Sequence, residues 1–310
     1  MAFAAKEFVE RAVAELQEGL PAGRAVVACS GGVDSTVCAV LAHRAFGERA
    51  CAVFLDTGFM REGEAEAVRD ALAGLGIPLE VVPVAPRFFR DLAGIADPEG
   101  KRRQFRATFY AVLAEVLRAK GAQALVQGTI AADVRETQAA VKTHHNVLDL
   151  GPEVWPRDLR VLEPLRALLK PEVREVARYL GLPEGFVRRR PFPGPGLAVR
   201  VVGAVTPARV ELLRQATRIV EEETADLPAF QAFPILLAER ATGLREGTRH
   251  YGEVLVLRVV GSADALAAEP LALPWERLQA LVARLLGELP ALSRVLYDLT
   301  PKPPATIEWE

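Results

Sequence analysis

The period of the apolar positions changes along the chain, and each change marks an element. Phe3, Phe8, Val9, Ala12, Val13 and Leu16 recur at helical spacing, which predicts an amphipathic helix at the start. Residues 25–29 (AVVAC) form an apolar run too short for a helix, as in a strand buried on both faces. Residues 35–46 return to a helical pattern. The alternation continues with a strand at 50–55 (ACAVFL), a helix at 62–75 closed by Gly76, and a strand at 79–84. A long helix lies within 98–120, a strand at 124–126 runs into Gln127-Gly128-Thr129, and a helix at 170–180 stops at Gly181 and Pro183. Such alternation predicts a parallel sheet with helices on both faces and ligands at the carboxyl ends of its strands.

At 191–196 the run PFPGPG breaks the pattern, because its prolines and glycines continue neither a helix nor an interior strand. Beyond it the pattern predicts a strand at 197–202, a helix at 207–223, and strands near 234–237 and at 253–260. A helix at 274–289 and a strand at 294–299 complete a β-α-β-β-α-β order with one exposed sheet face. The expected fold class is α/β: a doubly wound, mostly parallel sheet over residues 1–200, followed by a smaller α+β domain over 201–310.

Composition narrows the function. The 310 residues include 38 Lys or Arg and 40 Asp or Glu, a formal net charge of -2. A dedicated nucleic-acid binder needs a basic excess, and 6% aromatic content offers little for base stacking, so no nucleic-acid partner is expected. The first residues carry acids and lack the apolar core of a signal peptide, and no apolar stretch is long enough for a membrane span. A cytoplasmic location without membrane attachment is expected. Cys29, Cys38 and Cys51 form neither a CxxC pair nor an even disulfide framework, which suits a reducing compartment and leaves no structural zinc ligand set.

The segment Ser30-Gly31-Gly32-Val33-Asp34-Ser35-Thr36 lies between the strand at 25–29 and the next helix. Gly31 and Gly32 remove side chains that would keep an anion off the backbone. Successive N–H groups then face one concavity at a helix N-terminus, where the dipole favours negative charge. Ser30 and Ser35 add hydroxyl donors, and Asp34 either orients the loop or helps to hold a metal. The lysine of a GxxxxGK[ST] loop is missing. Adjacent strand ends form the nucleotide crevice in such sheets, so the backbone around Val53 and Leu55 is a candidate adenine contact. Asp56 is a metal ligand or a turn residue.

SGGVDS resembles the SGGxDS signature of the ATP pyrophosphatases, the PP-loop family, which grip the pyrophosphate of ATP and release it whole. GTIAADVRET (128–137), VKTHHNV (141–147), LEPLRALLKPEVREVARYLGLP (162–183), PFPGPGLAVRV (191–201) and SRVLYDLTPKPPATIEWE (293–310) carry the resemblance further. Nearly end to end, the chain is similar to the ATP pyrophosphatase and dimerisation domains of the GMP synthetase family. The resemblance implies an adenine nucleotide α-hydrolase-like fold followed by a dimerisation domain. It implies a ligase using ATP and Mg2+ to adenylate xanthosine monophosphate and aminate it to GMP, in purine nucleotide biosynthesis. No glutaminase domain precedes residue 1, so the chain resembles the separate synthetase subunit of a two-subunit enzyme or a stand-alone ammonia-using relative; a separate glutaminase subunit is the expected ammonia source, and a homodimer the expected assembly.

Residue by residue, the resemblance implies Asp34 and Lys142 as catalytic groups, Lys142 near the reacting phosphate. It implies Arg102, Gln231, Lys302, Ile307 and Glu308 as contacts of the purine nucleotide, and Asp34 and Asp133 as magnesium ligands; Asp133 alternatively orders its loop. His144 and His145 are adjacent, and neighbours rarely share a metal, so packing or loop hydrogen bonding is expected of them. Arg188-Arg189-Arg190 reads as a solvated basic run. The chain departs from the family pattern at Ala131-Ala132, Leu148-Asp149 and Glu246-Gly247-Thr248. The alternatives are a PP-loop paralogue adenylating another purine-like acceptor, and a non-catalytic nucleotide-binding subunit. Thiolation of tRNA calls for paired cysteines and a basic RNA-binding domain, which the sequence lacks.

Overall fold

A computed structural model describes residues 3–131, 133–134, 155–156, 158–263 and 265–310. In chain order its elements are α1 (Ala5–Gly19), β1 (Arg24–Ala28), α2 (Val33–Phe46), β2 (Ala50–Asp56), α3 (Glu64–Ala73), β3 (Leu79–Pro83), α4 (Ala85–Asp91) and α5 (Pro98–Ala119). Next come β4 (Ala122–Val126), β5 (Arg160–Leu162), α6 (Lys170–Tyr179) and α7 (Glu184–Val187). Last are α8 (Pro207–Glu223), β6 (Gln231–Arg245), β7 (Thr248–Gly261), β8 (Glu269–Pro270), α9 (Trp275–Glu288) and β9 (Leu292–Tyr297). The chain divides into two compact units: Met1–Thr57, Gly63–Val84 and Arg106–Arg189 form the first, and Gly58–Glu62, Ala85–Phe105 and Arg190–Glu310 the second.

The first unit is built on a five-stranded sheet of order β3-β2-β1-β4-β5 in which every pair is parallel. Ala25, Val26 and Val27 of β1 are buried, as the unbroken apolar run requires of a central strand. Helix α2 is apolar on most of its surface and correspondingly buried, apart from Asp34 in its first turn and His43 and Arg44 in its last. Helix α1 buries one stripe, Phe8, Val9, Ala12 and Leu16. The chain leaves β1 for β2 on one side and returns to β4 on the other, so the order reverses beside β1. In open α/β sheets this reversal opens a crevice outside the carboxyl ends of the two strands. Here it lies between the Ser30–Gly32 turn and the Gln127-Gly128-Thr129 turn.

The second unit carries a four-stranded mixed sheet. Strand β7 pairs antiparallel with β6 and β8 and parallel with β9. Its core includes Phe233, Ile235, Val256, Val260, Ala268 and Ile307, and an aromatic group joins Phe59 to Phe89 and Phe105, with Phe88 on Phe105. The β6–β7 hairpin turns through Glu246 (φ 49°) and Gly247 (φ 74°), the two positive φ values that a tight hairpin turn demands.

Two expectations for this unit are corrected. The strand expected at 197–202 is a 3₁₀ turn over Gly196–Val199, followed by a single bridge from Val201 to Leu236. Leu197, Ala198, Val199 and Val201 are buried on all sides, and an apolar run of that kind reads alike whether extended or coiled. Strands β6 and β7 also extend well past the expected segments, because their outer halves are exposed and polar and carry no two-residue alternation.

Gly196 forces the 3₁₀ turn. Its φ is +61°, and a Cβ there would stand 2.2 Å from the carbonyl oxygen of Phe59, which accepts the Leu197 N–H at 2.8 Å. Gly196→Ala is expected to cost about 2 kcal/mol, read as a lower denaturant midpoint at unchanged slope. An unaltered midpoint would show that the turn tolerates a side chain.

Candidate functional site

The first unit gathers the loop residues Ser30 to Thr36 at the carboxyl end of the central strand β1, as the N-terminus of α2. Gly32 caps α2, and the first helical hydrogen bond runs from the Thr36 N–H to the Gly32 carbonyl at 3.2 Å. The amides of Val33, Asp34 and Ser35 precede that bond and have no acceptor within the helix. The loop's other polar groups are spent internally. The Ser30 N–H donates to Ser35 Oγ at 3.0 Å, and Ser35 Oγ and Thr36 Oγ1 both donate to the Gly32 carbonyl at 3.1 Å. What remains is a set of outward donors at the positive end of a helix dipole, which fits an anion such as phosphate.

The two loop glycines serve different ends. Gly31 has φ +87°, and a Cβ there would fall 2.1 Å from Glu64 Oε1. Glu64, only 2% exposed, holds Arg189 through two contacts, Nη1 to Oε1 at 2.9 Å and Nη2 to Oε2 at 3.3 Å. Arg189 also donates to the Gly31 carbonyl at 3.3 Å. The expected solvated run is thus corrected: Arg188 alone is largely exposed, paired with Glu184. Arg190 is half-buried and donates to Thr224 Oγ1 at 2.8 Å within the second unit. Gly32, by contrast, would meet only Ser30 Oγ, at 3.7 Å, among the described residues if it carried a Cβ, so their packing does not require glycine there. Gly128, from the turn after β4, lies against the helix start. A Cβ on it would stand 2.9 Å from the Asp34 carbonyl carbon and the Ser35 nitrogen.

Asp34, in the first turn of α2, receives a lysine the sequence reading did not select. Lys170, the first residue of α6, donates to Asp34 Oδ1 at 2.8 Å and Oδ2 at 2.6 Å. The pair is partly exposed, 35% for Lys170 and 23% for Asp34, and puts an ammonium beside the open amides. The signals of Lys170 in sequence were its place at a helix start and in the run 162–183 that carries the resemblance, and neither distinguishes it from a solvent-facing lysine. Val53 and Leu55 are buried in β2, and the Val53 carbonyl already accepts the Cys29 N–H at 2.8 Å. Asp133 Oδ2 accepts the Ile130 N–H at 3.0 Å. Lys142, His144 and His145 lie outside the described residues.

Among the described residues no three His, Cys, Asp or Glu side chains cluster as a metal site. Mg2+ with nucleotides takes one or two carboxylates and fills its other positions with water and phosphate oxygens. The Asp34 carboxylate next to the loop fits that habit. Burial pushes the Cys29 thiol up to about 12 and the Cys38 thiol well above its ordinary range, so neither offers a thiolate.

The second unit holds Arg102, Gln231, Lys302, Ile307 and Glu308, and buried cations order the segment that carries the last three. Arg258 donates to the carbonyls of Ile307 (3.1 Å), Thr306 (2.8 Å) and Thr300 (2.8 Å) and to Asp298 Oδ2 (2.8 Å). Arg200 lies over the rings of Phe233 and Phe192 and grips both oxygens of Glu308, at 2.8 and 3.0 Å. Lys101, fully buried, donates to the Glu310 carboxylate and to the Val201 carbonyl at 2.5 Å. Burial lowers its pKa, and the Glu310 carboxylate opposes that shift. Ile307 is packed in the sheet core. Lys302 Nζ donates to the Ala265 carbonyl at 2.8 Å, and Arg102, on α5, pairs with Glu99 at 2.7 Å. Gln231, 7% exposed, donates through Nε2 to the Pro191 carbonyl at 3.2 Å, while its Oε1 is buried and finds no hydrogen-bond partner among the described residues. An orphaned buried acceptor is costly, and a ligand donor would relieve it.

A parallel sheet with SGGVDS at the end of its central strand and an open helix N-terminus beside Asp34 and Lys170 defines a PP-loop protein. The family model described as PP-loop domain matches residues 5–181, and the one described as GMP synthase C terminal domain matches residues 218–309. The chain is 47% identical to a subunit of the glutamine-hydrolyzing GMP synthase of Archaeoglobus fulgidus, over 98% of this chain and 99% of that one. It is 48% identical to the subunit of the same name from Methanopyrus kandleri, over 99% of this chain and 100% of that one. The chain belongs to this family of GMP synthase subunits. A solved structure of NMN synthetase from Francisella tularensis matches at a TM-score of 0.50 and 21% identity, over 63% of this chain and 78% of that one, a likeness of fold.

The different surroundings of the two glycines are open to test. Gly32→Ala is expected to cost at most about 1 kcal/mol of stability, the penalty of a poorer helix cap. It should still weaken pyrophosphate binding on the order of tenfold, since its methyl group stands where a phosphate oxygen must approach the amides. Gly31→Ala should lose both stability and binding. Denaturation curves paired with pyrophosphate titration separate the two; equal destabilisation of both variants would refute the distinction.

Proposed function

We propose that this chain is the ATP-dependent synthetase subunit of a GMP synthase, converting xanthosine monophosphate to GMP with ammonia. The reading rests above all on the open amides at the start of α2, beside Asp34 and Lys170 in the crevice of a parallel sheet. The backbone of Gly32, Val33, Asp34 and Ser35, with the hydroxyl of Ser30, takes the β- and γ-phosphates of ATP, while the Ser35 and Thr36 hydroxyls hold the loop in shape through the Gly32 carbonyl. Adenine lies along the carboxyl end of β2, at Val53 and Leu55.

The C2 oxygen of xanthosine monophosphate attacks the α-phosphorus, the bond to the β-phosphate bridge breaks, and pyrophosphate leaves with its negative charge. Fixed donors that meet that charge stabilise the transition state without reorganising. Lys170 supplies a cation there and holds the Asp34 carboxylate in place. When bound, Mg2+ neutralises phosphate charge, with Asp34 as its protein ligand and Asp133 either a second ligand or an organiser of its own loop. Lys142 acts as the further cation for the reacting phosphate. Ammonia then attacks C2, AMP departs with the former C2 oxygen, and the nitrogen loses a proton to leave the amino group of GMP.

The second unit takes the mononucleotide. Gln231 offers its unpartnered Oε1 to a purine N–H, Lys302 keeps N–H donors for the 5′-phosphate, and Ile307, Glu308 and Arg102 complete the contacts. A separate glutaminase subunit supplies the ammonia, in keeping with relatives that are named as subunits of a glutamine-hydrolyzing enzyme, and the chain acts as a homodimer in the cytoplasm. A thiolating PP-loop activity is disfavoured by the protonated Cys29 and Cys38.

The test is incubation with ATP, magnesium, ammonium and xanthosine monophosphate while AMP, pyrophosphate and GMP are followed. Equal yields of the three are expected. AMP without GMP would point to another acceptor, and ATP binding without turnover would leave a nucleotide-binding subunit. Asp34→Ala should cut pyrophosphate release on the order of a hundredfold or more with the circular dichroism spectrum unchanged; wild-type rates in that variant would overturn the loop assignment.

A further inference from the structure

We propose that Arg189 is a positioning residue that aims the Gly32 amide at the bound phosphate, with Glu64 as its brace. The inference rests on the reading that the loop takes the pyrophosphate group of ATP, and it adds a side chain that need not touch that group. A trans peptide is planar, with its C=O and the following N–H pointing in opposite directions. The carbonyl of Gly31 and the N–H of Gly32 belong to one such plane. Arg189 Nη1 holds the carbonyl at 3.3 Å, so the Gly32 N–H is directed away from the guanidinium, joining the Val33, Asp34 and Ser35 amides as a donor.

This plane needs holding, because Gly31 has no Cβ and sits at φ +87°, where a glycine peptide rotates at little steric cost. A flip of the plane would put a carbonyl oxygen where the phosphate expects a donor. Arg189 resists the flip because it is itself fixed. Its two nitrogens meet both oxygens of the buried Glu64 carboxylate, and its guanidinium lies 4.9 Å from the centre of the Phe186 ring. Glu64 acts a second time by filling the space a Cβ on Gly31 would need. A lysine at 189 would keep the charge but lose the planar fork that reaches the carboxylate and the carbonyl together.

The full chain is titrated with inorganic pyrophosphate, ATP and adenosine in the presence of Mg2+, as wild type and as Arg189→Lys, Arg189→Met and Glu64→Gln. Each variant is expected to bind pyrophosphate and ATP on the order of tenfold more weakly and adenosine with wild-type affinity, because only the phosphate donors are misaimed. Glu64→Gln keeps the size of the buried side chain and serves where Arg189→Met folds poorly. Wild-type pyrophosphate affinity in Arg189→Lys and Glu64→Gln would overturn the positioning role, as would a parallel loss of adenosine binding. A wild-type chain that binds adenosine but not pyrophosphate would refute the loop reading and this inference with it.

Discussion

For the loop after β1 to take an anion, main-chain donors at the start of α2 must stay without protein acceptors while every nearby acceptor is occupied. That asymmetry is what the surrounding contacts produce. The Gly32 carbonyl is capped by Ser35 and Thr36, the Gly31 carbonyl by Arg189, and the Asp34 carboxylate by Lys170. A free carbonyl or an unpaired carboxylate at the helix start would offset the positive end of the dipole and repel phosphate. The donors left over cost little in the absence of ligand, because the helix start is partly exposed and water can bond them. The sheet order puts this helix start at the strand reversal, and Gly128 lets the next turn pack against it.

The same requirement separates what was legible in the sequence from what was not. Strand, loop and helix at 25–46 could be read because a buried parallel strand, a glycine pair and a capped helix each leave a local signature, and SGGVDS compresses all three. The braces are not local. Lys170 stands far along the chain from Asp34, and Glu64 and Arg189 are each ordinary surface letters in sequence. Arg189 in particular sits among three arginines of which one is solvated, one grips Glu64, and one belongs to the second unit. Charge repeated in sequence carries no mark of which copy turns inward. Similarly, 197–202 has the composition of a strand, and only the approach of the Phe59 carbonyl to Gly196 decides for a 3₁₀ turn.

The second unit is organised by the opposite means. The segment from Thr300 to Glu310 has little regular structure of its own, and its carbonyls and carboxylates are taken up by Arg258, Arg200 and Lys101, all deeply buried. Burying a cation is unfavourable unless nearly every donor is used, and Arg258 meets that demand with three carbonyls and a carboxylate. A cradle of this kind is unforgiving. Removing one partner leaves a charge stranded in the interior, which costs about 3–5 kcal/mol. The irregular segment is therefore held in one arrangement without a helix or a long ladder to define it.

The two strategies suit two kinds of ligand. A pyrophosphate group presents the same oxygens in every ATP-dependent reaction, so recognition by main-chain amides is sufficient and survives extensive change in sequence, because every residue except proline carries the donor. A particular purine nucleotide differs from its neighbours in a few ring substituents. Discrimination then needs buried side-chain groups that are left unsatisfied by the wrong ligand. The unpartnered Oε1 of Gln231 has that character, whereas nothing in the loop does. On the proposed reading, specificity rests on the unit whose contacts are set by residues far apart in sequence, and the general chemistry on the unit whose signal is the most compact.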